Sequence, residues 1–377
     1  MNNIPFVNLE RPKKLENKIK IAINNVIKNN KFILGPEVFE LENKLKKYCG
    51  STYAVTCSSG TDALLMTLMA LGVKPNDAIF LPSFTFIATA EAIVLSGCQP
   101  VFIDVLDDTF NIDPESFKLG INIAIKNKLI PKYVIIVDLF GQPADFNNIK
   151  TISEKYNIKI IIDAAQSFGA KYNNKKVGSF GLVTTTSFYP TKPFGCFGDG
   201  GCIFTNNKNI AKTLLSIRNH GQGLNKYKNI RIGLNARLDT IQAAILLEKL
   251  NFLDKENLIR DEIASCYNKI LSKKVIIPFV KENVKNIWAQ YTIKLKNENI
   301  RNIIIDFLKK ENISTEIYYI IPIHLQKAYK KYLKASKRLI ISEKLSKTLL
   351  SLPIYPYMTS NIKTKIMKTL KNMIKII

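Results

Sequence analysis

Histidine is scarce in this chain: His220 and His324 are the only two. The six cysteines, Cys49, Cys57, Cys98, Cys196, Cys202 and Cys266, include no Cys-x-x-Cys pair. With so few ligands at metal-binding spacing, no metal site is expected, and free thiols in a reducing cytoplasm are the natural reading. Long apolar runs are also missing. Segments such as Tyr133-Val134-Ile135-Ile136-Val137 have the length of a strand, well short of a membrane span. The N-terminal stretch Met1-Asn2-Asn3-Ile4-Pro5-Phe6-Val7-Asn8 lacks the charged-then-apolar pattern of a signal peptide. There is no low-complexity tract and no obvious repeat.

Acidic residues are few as well: 30 stand against 55 Lys and Arg, for a net charge of +25. Such an excess can mean nucleic acid, acidic lipid or anionic substrates. Here the lysines are spread among Asn and Ile, as in Asn24-Asn25-Val26-Ile27-Lys28-Asn29-Asn30 and Thr364-Lys365-Ile366-Met367-Lys368. That is a drift in composition rather than a patch, and no nucleic-acid motif accompanies it. Attraction of an anionic nucleotide substrate would be a by-product.

What is present is the material of an α/β protein. The 377 residues are 46% hydrophobic with 17 Gly, enough for two domains and a substantial core. Strand-like segments recur at Tyr53–Cys57, Ala78–Leu81, Pro100–Ile103, Tyr133–Val137, Ile158–Ile162, Val183–Phe188 and Cys202–Thr205, with helical patterns between several of them. This predicts a mostly parallel, seven-stranded twisted sheet. A long helical pattern over Leu238–Leu258 leads to a smaller C-terminal α/β domain. That domain holds a strand near Trp288–Leu295, a helix near Arg301–Glu311 and a last helix after Ile362. We place an N-terminal arm and large domain at residues 1–247 and the small domain at 248–377.

Four segments carry chemistry. Ser187-Phe188-Tyr189-Pro190-Thr191-Lys192-Pro193-Phe194-Gly195 sets one lysine between a Ser/Thr-rich strand and a glycine-rich turn. Apolar walls lower such an amine's proton affinity and suit it to form a Schiff base with an aldehyde. Lys159-Ile160-Ile161-Ile162-Asp163-Ala164-Ala165-Gln166 ends a buried-strand pattern in a carboxylate, at the strand end where ligand chemistry gathers. Asp163 could keep a pyridine nitrogen protonated; alone, it could equally cap a helix. Ser58-Ser59-Gly60-Thr61 opens a helical run and offers backbone N–H groups to a phosphate, as an ordinary cap also would. Phe86, near a strand end, could stack on a planar ring or simply fill the core. Together the four point to pyridoxal phosphate (PLP).

These residues resemble the PLP-dependent nucleotide-sugar aminotransferases of the DegT/DnrJ/EryC/StrS type, which have the aspartate aminotransferase fold, fold type I. The likeness runs from Phe6-Val7-Asn8-Leu9 and Phe32-Ile33-Leu34-Gly35-Pro36-Glu37 through Asn235-Ala236-Arg237-Leu238-Asp239-Thr240 to Leu352-Pro353-Ile354-Tyr355-Pro356. Within the family the chain is similar to 3-aminotransferases of UDP-2-acetamido-2-deoxy-3-oxo-D-glucuronate, which serve the making of a diamino-uronic acid for surface polysaccharide or O-antigen. The resemblance implies Lys192 as the lysine that bonds the cofactor, Asp163 as partner of the ring nitrogen, Gln166 beside the 3-hydroxyl and Phe86 on the ring. Gly60, Thr61 and Ser187 would hold the phosphate, joined by Asn235 from a second subunit of an obligate homodimer. Arg237, Tyr318 and Tyr319 would face the sugar, Arg237 as a fork on its carboxylate.

The implied reaction moves an amino group from L-glutamate, leaving 2-oxoglutarate, to a keto-sugar nucleotide. Relatives of the subgroup carry a His-Tyr pair where this chain has Tyr318-Tyr319. A phenol donates a hydrogen bond but does not titrate near neutrality. His324 is either the replacement or a structural histidine. Other regiospecificities, such as 4-amination, share every cofactor residue. A sugar dehydratase of this fold would have histidine in place of Lys192. A non-catalytic PLP-binding regulatory protein would be expected to add a DNA-binding module, and none is seen.

Overall fold

The computed structural model describes residues 3–225, 227–272 and 274–376; Met1 and Asn2 of the N-terminal stretch read above lie outside them. Two helices come first, α1 (Lys13–Asn29) and α2 (Pro36–Cys49). Strands and helices then alternate: β1 (Tyr53–Cys57), α3 (Gly60–Ala70), β2 (Asp77–Pro82), α4 (Ala88–Leu95), β3 (Gln99–Ile103), α5 (Pro114–Lys126), β4 (Ile130–Val137), α6 (Phe146–Lys155) and β5 (Lys159–Asp163). Short β6 (Lys171–Tyr172) and β7 (Lys175–Lys176) precede β8 (Val183–Ser187), β9 (Gly201–Thr205), α7 (Lys208–Arg218), α8 (Thr240–Leu250) and α9 (Leu253–Leu271). The rest is β10 (Val284–Lys285), β11 (Tyr291–Lys294), α10 (Glu298–Lys310), β12 (Leu333–Lys334), α11 (Ile340–Thr348), β13 (Leu349–Leu352) and α12 (Ser360–Met373).

The main sheet runs β1-β9-β8-β5-β4-β2-β3-β12. Only β9 is antiparallel to its neighbours, so the expected mostly parallel α/β sheet is present. It has eight strands where seven were expected. The eighth, β12, comes from the C-terminal part and lies on β3, pairing Leu333 with Val101 and Lys334 with Phe102. Central strands are apolar on both faces because helices cover both: Ile79–Leu81, Val134–Ile136 and Ile161–Ile162 are all buried.

The helical pattern over Leu238–Leu258 is two helices. Asn251 and Phe252 separate α8 from α9. The Asn251 side chain donates to the Leu247 carbonyl at 3.4 Å, a local bond that competes with helix continuation, and Phe252 packs on Leu15, Ile19 and Ile245.

One large core surrounds the sheet; a second gathers Tyr267, Trp288, Tyr291, Ile293, Leu350 and Leu370. The cores exchange segments. Ile4 packs in the second, while Ile323, Ala335 and Leu339 pack in the first. A site therefore forms where C-terminal chain meets the carboxyl ends of the parallel strands.

Candidate active site

Each cleft element follows from a strand ending at the same edge of the sheet. After β1, Ser59 caps α3: its Oγ accepts from the Asp62 N–H at 3.0 Å and donates to the Asp62 carboxylate at 3.1 Å. Gly60 then faces Ser187 at the end of β8. A Cβ on Gly60 would lie 2.6 Å from Ser187 Cβ, so glycine is what lets the helix start approach the strand end. The result is a cradle of helix N-terminus, Thr61 and Ser187, with the donors and partial positive charge that suit a phosphate.

Asp163 ends β5 and is buried. One carboxylate oxygen accepts from Thr89 Oγ1 at 2.9 Å, the other from the Ala165 N–H at 3.1 Å. Burial pushes its affinity for a proton up; those two donors and the Lys192 ammonium hold it down. An acceptor so fixed, in a water-poor wall, fits a cationic ring nitrogen. Lys192 is half-buried in the turn after β8. Burial lowers its amine from the ordinary lysine range, and the Asp163 charge opposes that. The two groups thus set each other's charge across the cleft.

Gln166 is oriented from both ends of its carboxamide: Oε1 accepts from the Phe140 N–H at 2.7 Å and Nε2 donates to the Tyr319 hydroxyl at 3.1 Å. Tyr319 packs edge-on against Phe84 and tilted beside Phe86, at centroid distances of 5.8 and 6.5 Å. Burial pushes the Tyr318 phenol up to about 12, with the Glu316 charge adding to the effect. The Tyr319 phenol is raised as well, chiefly by burial. Both phenols therefore stay neutral donors at physiological pH. Phe86 is 55% exposed, which suits a platform for a planar group better than a core aromatic.

Gly60, Thr61, Phe86, Asp163, Gln166, Ser187, Lys192, Tyr318 and Tyr319 all line one cleft of about 420 Å³. Their groups fit what PLP requires: a phosphate cradle, a ring-nitrogen acceptor, an exposed aromatic face and an amine for the aldehyde. Asn235 and Arg237 do not line it. Asn235 is exposed, in a bridge with Asn219, and Arg237 Nη1 donates to Asn219 Oδ1 at 2.7 Å. Buried Arg237 Nε has no hydrogen-bond partner among the described residues.

His324 does not take the place of a cleft histidine. It is buried, with Nδ1 2.6 Å from Ser83 Oγ and Nε2 3.5 Å from Glu343 Oε1, and does not line the cleft. Sequence reasoning missed Thr89, Asp199 and Gln290, which also line the cleft. Thr89 lies in an apolar helix whose local pattern carries no sign of its bond to a residue 74 positions away.

Comparison with known proteins accords with this geometry. The DegT/DnrJ/EryC1/StrS aminotransferase family matches residues 13–371. A UDP-2-acetamido-2-deoxy-3-oxo-D-glucuronate aminotransferase from Pseudomonas aeruginosa is 40% identical over 96% of this chain and 98% of its own. A dTDP-3-amino-3,6-dideoxy-alpha-D-galactopyranose transaminase from Aneurinibacillus thermoaerophilus is 37% identical over 94% and 95%. Among solved structures, a DegT/DnrJ/EryC1/StrS aminotransferase from Brucella abortus superposes with a TM-score of 0.95 at 46% identity, covering 98% of this chain and 99% of that one. A Bacillus subtilis protein solved with bound cofactor PMP gives a TM-score of 0.90 at 32% identity, over 100% and 86%.

Proposed function

This chain belongs to the DegT/DnrJ/EryC1/StrS aminotransferase family and is a PLP-dependent sugar aminotransferase, and from that premise we propose that it moves an amino group from L-glutamate to carbon 3 of UDP-2-acetamido-2-deoxy-3-oxo-D-glucuronate. The product would be a diamino-uronic acid nucleotide, a precursor for surface polysaccharide. The carrying observation is that Lys192 and Asp163 face one cleft with the phosphate cradle and the two phenols.

PLP, when bound, supplies an aldehyde to carry the amino group and a ring that takes up electrons from the carbon being deprotonated. Gly60, Thr61 and Ser187 would hold its phosphate. Asp163, fixed by Thr89 and Ala165, would keep the ring nitrogen protonated. Gln166, held by the Phe140 N–H, would orient the ring edge, and Phe86 would cover one face. Lys192 Nζ then removes the proton from Cα of the amino donor, and in the return half-reaction delivers one to the sugar's former keto carbon. Burial lowers its proton affinity, which favours the free amine that such a base needs. Six free thiols, five of them buried, support the cytoplasmic placement.

The finer reading rests on Arg237. Asn219 holds one arm of its guanidinium, and the segment Asn235–Arg237 would reach the cleft of a second subunit, Asn235 toward the phosphate and Arg237 toward the sugar carboxylate. A charge-assisted bond of about 1.5–3 kcal/mol corresponds to roughly 10- to 150-fold in kcat/KM. The test offers the same 3-keto sugar nucleotide with and without its C6 carboxylate to wild type and Arg237→Ala. Wild type should prefer the acid by about that factor and the variant should lose the preference, while the glutamate half-reaction hardly changes. Equal use of acid and neutral sugar by wild type would move the enzyme to neutral keto-sugar nucleotides, as the Aneurinibacillus relative's name suggests for that protein.

A further inference from the structure

The turn that carries Lys192 is tied down from a helix that takes no part in the cleft. Within the turn, the Lys192 N–H donates to the Tyr189 carbonyl at 2.8 Å and the Cys196 N–H to that of Phe188 at 2.7 Å. Gly195 is folded so close that a Cβ there would lie 2.5 Å from the Tyr189 carbonyl oxygen. Phe194, stacked on Phe168, and Cys196 are buried beneath the turn. Two side chains of α8 reach it: Gln242 Oε1 accepts from the Phe197 N–H at 2.8 Å, and the Lys249 ammonium donates to the Gly195 carbonyl. They are seven residues apart, two helical turns, and so share one face of α8.

We propose that Gln242 and Lys249 are positioning residues that clamp the Lys192 turn onto α8 and so hold the lysine amine at its working place. This rests on the assignment of Lys192 made above. Lys249 is an unusual choice for a purely structural role, being only 8% exposed. It borders a second cavity, of about 50 Å³, which also touches Pro190–Pro193. Around that cavity Arg11 and Glu10 come from the N-terminal segment, Glu256 and Arg260 from α9, and Tyr357 from the C-terminal chain. Glu256 is engaged by the Tyr357 hydroxyl at 2.7 Å and stands 3.9 Å from Arg260.

Burial lowers the Lys249 amine to about 8, with Arg11 and Arg260 adding to that and Glu256 and Cys196 opposing it. The clamp therefore passes from a charge-assisted to a neutral hydrogen bond as the pH rises through that value, and charge-assisted bonds are about twice as strong.

The test compares wild type, Lys249→Met and Gln242→Ala as PLP-loaded enzymes. Lys249→Met should lower kcat about 10-fold at pH 7 with little change in KM for the keto sugar, and only about 2- to 3-fold at pH 9, where the wild-type clamp is itself weakened. Gln242→Ala should lower kcat a few-fold at every pH. Independently of turnover, mixing PLP with the stripped protein should form the visible band of the Lys192-linked cofactor more slowly in both variants. A wild-type to Lys249→Met ratio that stays constant from pH 7 to 9, or unchanged band formation, would overturn the clamp. Should Lys249→Met fail to fold, Gln242→Ala decides: wild-type kcat and band formation in that variant also overturn it. Borohydride labelling separates the two levels, since a label absent from Lys192 in wild type defeats the lysine assignment, whereas a label on Lys192 with unaffected variants defeats only the clamp.

Discussion

Asp138 is a buried carboxyl that the reaction does not use, and its environment makes a quantitative demand on stability. It is 1% exposed, one residue past β4. Its oxygens accept from the Ala144 N–H at 2.9 Å and from Ser167 Oγ at 2.8 Å, and its own N–H donates to the Asp163 carbonyl at 3.1 Å. Burial pushes the carboxyl up to about 7 from an ordinary value of 3.8; the two donors oppose this, and the neighbouring Asp163 charge adds to it. Between those values the folded chain binds more protons at Asp138 than the unfolded chain does. Stability must therefore fall as pH rises through that window and level off above it. From pH 5 to 7 this amounts to about 2 kcal/mol, since the slope of ~1.4 kcal/mol per unit is halved by pH 7. Asp138→Asn removes the ionisation and keeps an acceptor for Ala144, while Ser167 can turn its hydroxyl to accept from the new amide. Urea unfolding of both proteins at pH 5, 6, 7 and 8 should show the variant gaining on wild type by about 2 kcal/mol between pH 5 and 7 and levelling off toward pH 8. Other titrating groups cancel in the difference. A gap that is flat across pH 5–7 would refute the claim that Asp138 is held neutral.

Lys192→Ala should abolish turnover yet still bind PLP through Asp163 and the phosphate cradle, and borohydride should label Lys192 alone in wild type; peptide mapping checks both. Gly60→Ala places a Cβ 2.6 Å from Ser187 Cβ and should weaken PLP binding at least 10-fold in equilibrium dialysis, with the melting temperature changing much less than for a core mutation. Sedimentation should show a dimer, and Asn235→Ala should lower PLP affinity without dissociating it; an active monomer replete with cofactor would contradict the shared site.

The fold was legible where a local pattern has one physical meaning. Val134-Ile135-Ile136 and Ile160-Ile161-Ile162 read as buried parallel strands because they are short, β-branched and recur between helical patterns, and Asp163 at such a strand's end reads as a site. Lys192 was legible because a lysine between an apolar strand and a glycine-rich turn is poorly placed for solvation. Contacts between distant segments had no local sign. Leu333-Lys334 shows no strand period, so its docking on β3 could not be read, and neither could the bond from Thr89 to Asp163. The break at Asn251-Phe252 was hidden because both residues fit a helical pattern and only the docking of Phe252 on Leu15 and Ile19 explains the turn. The tie between His324 and Ser83, 241 positions apart, is of the same kind.

Charge carries the argument from one chain to two. Lys192 is the one cation among the described residues lining the cleft, and Asp163 and Asp199 stand against it. The proposed reaction asks for more positive charge than that, to meet a cofactor phosphate, the two carboxylates of glutamate, and the diphosphate and carboxylate of the sugar nucleotide. A general excess of lysine on the surface attracts such anions but does not orient them, since exposed charges are screened within about 8 Å at physiological salt. Orientation needs a fixed donor, and Arg237 is one, with Asn219 on one arm and a buried Nε left without a partner among the described residues. It lies outside its own cleft, so on the proposed reading it would face another's. On the proposed reading a second subunit would supply that donor, and the residue that completes the site would also distinguish an acidic sugar from a neutral one.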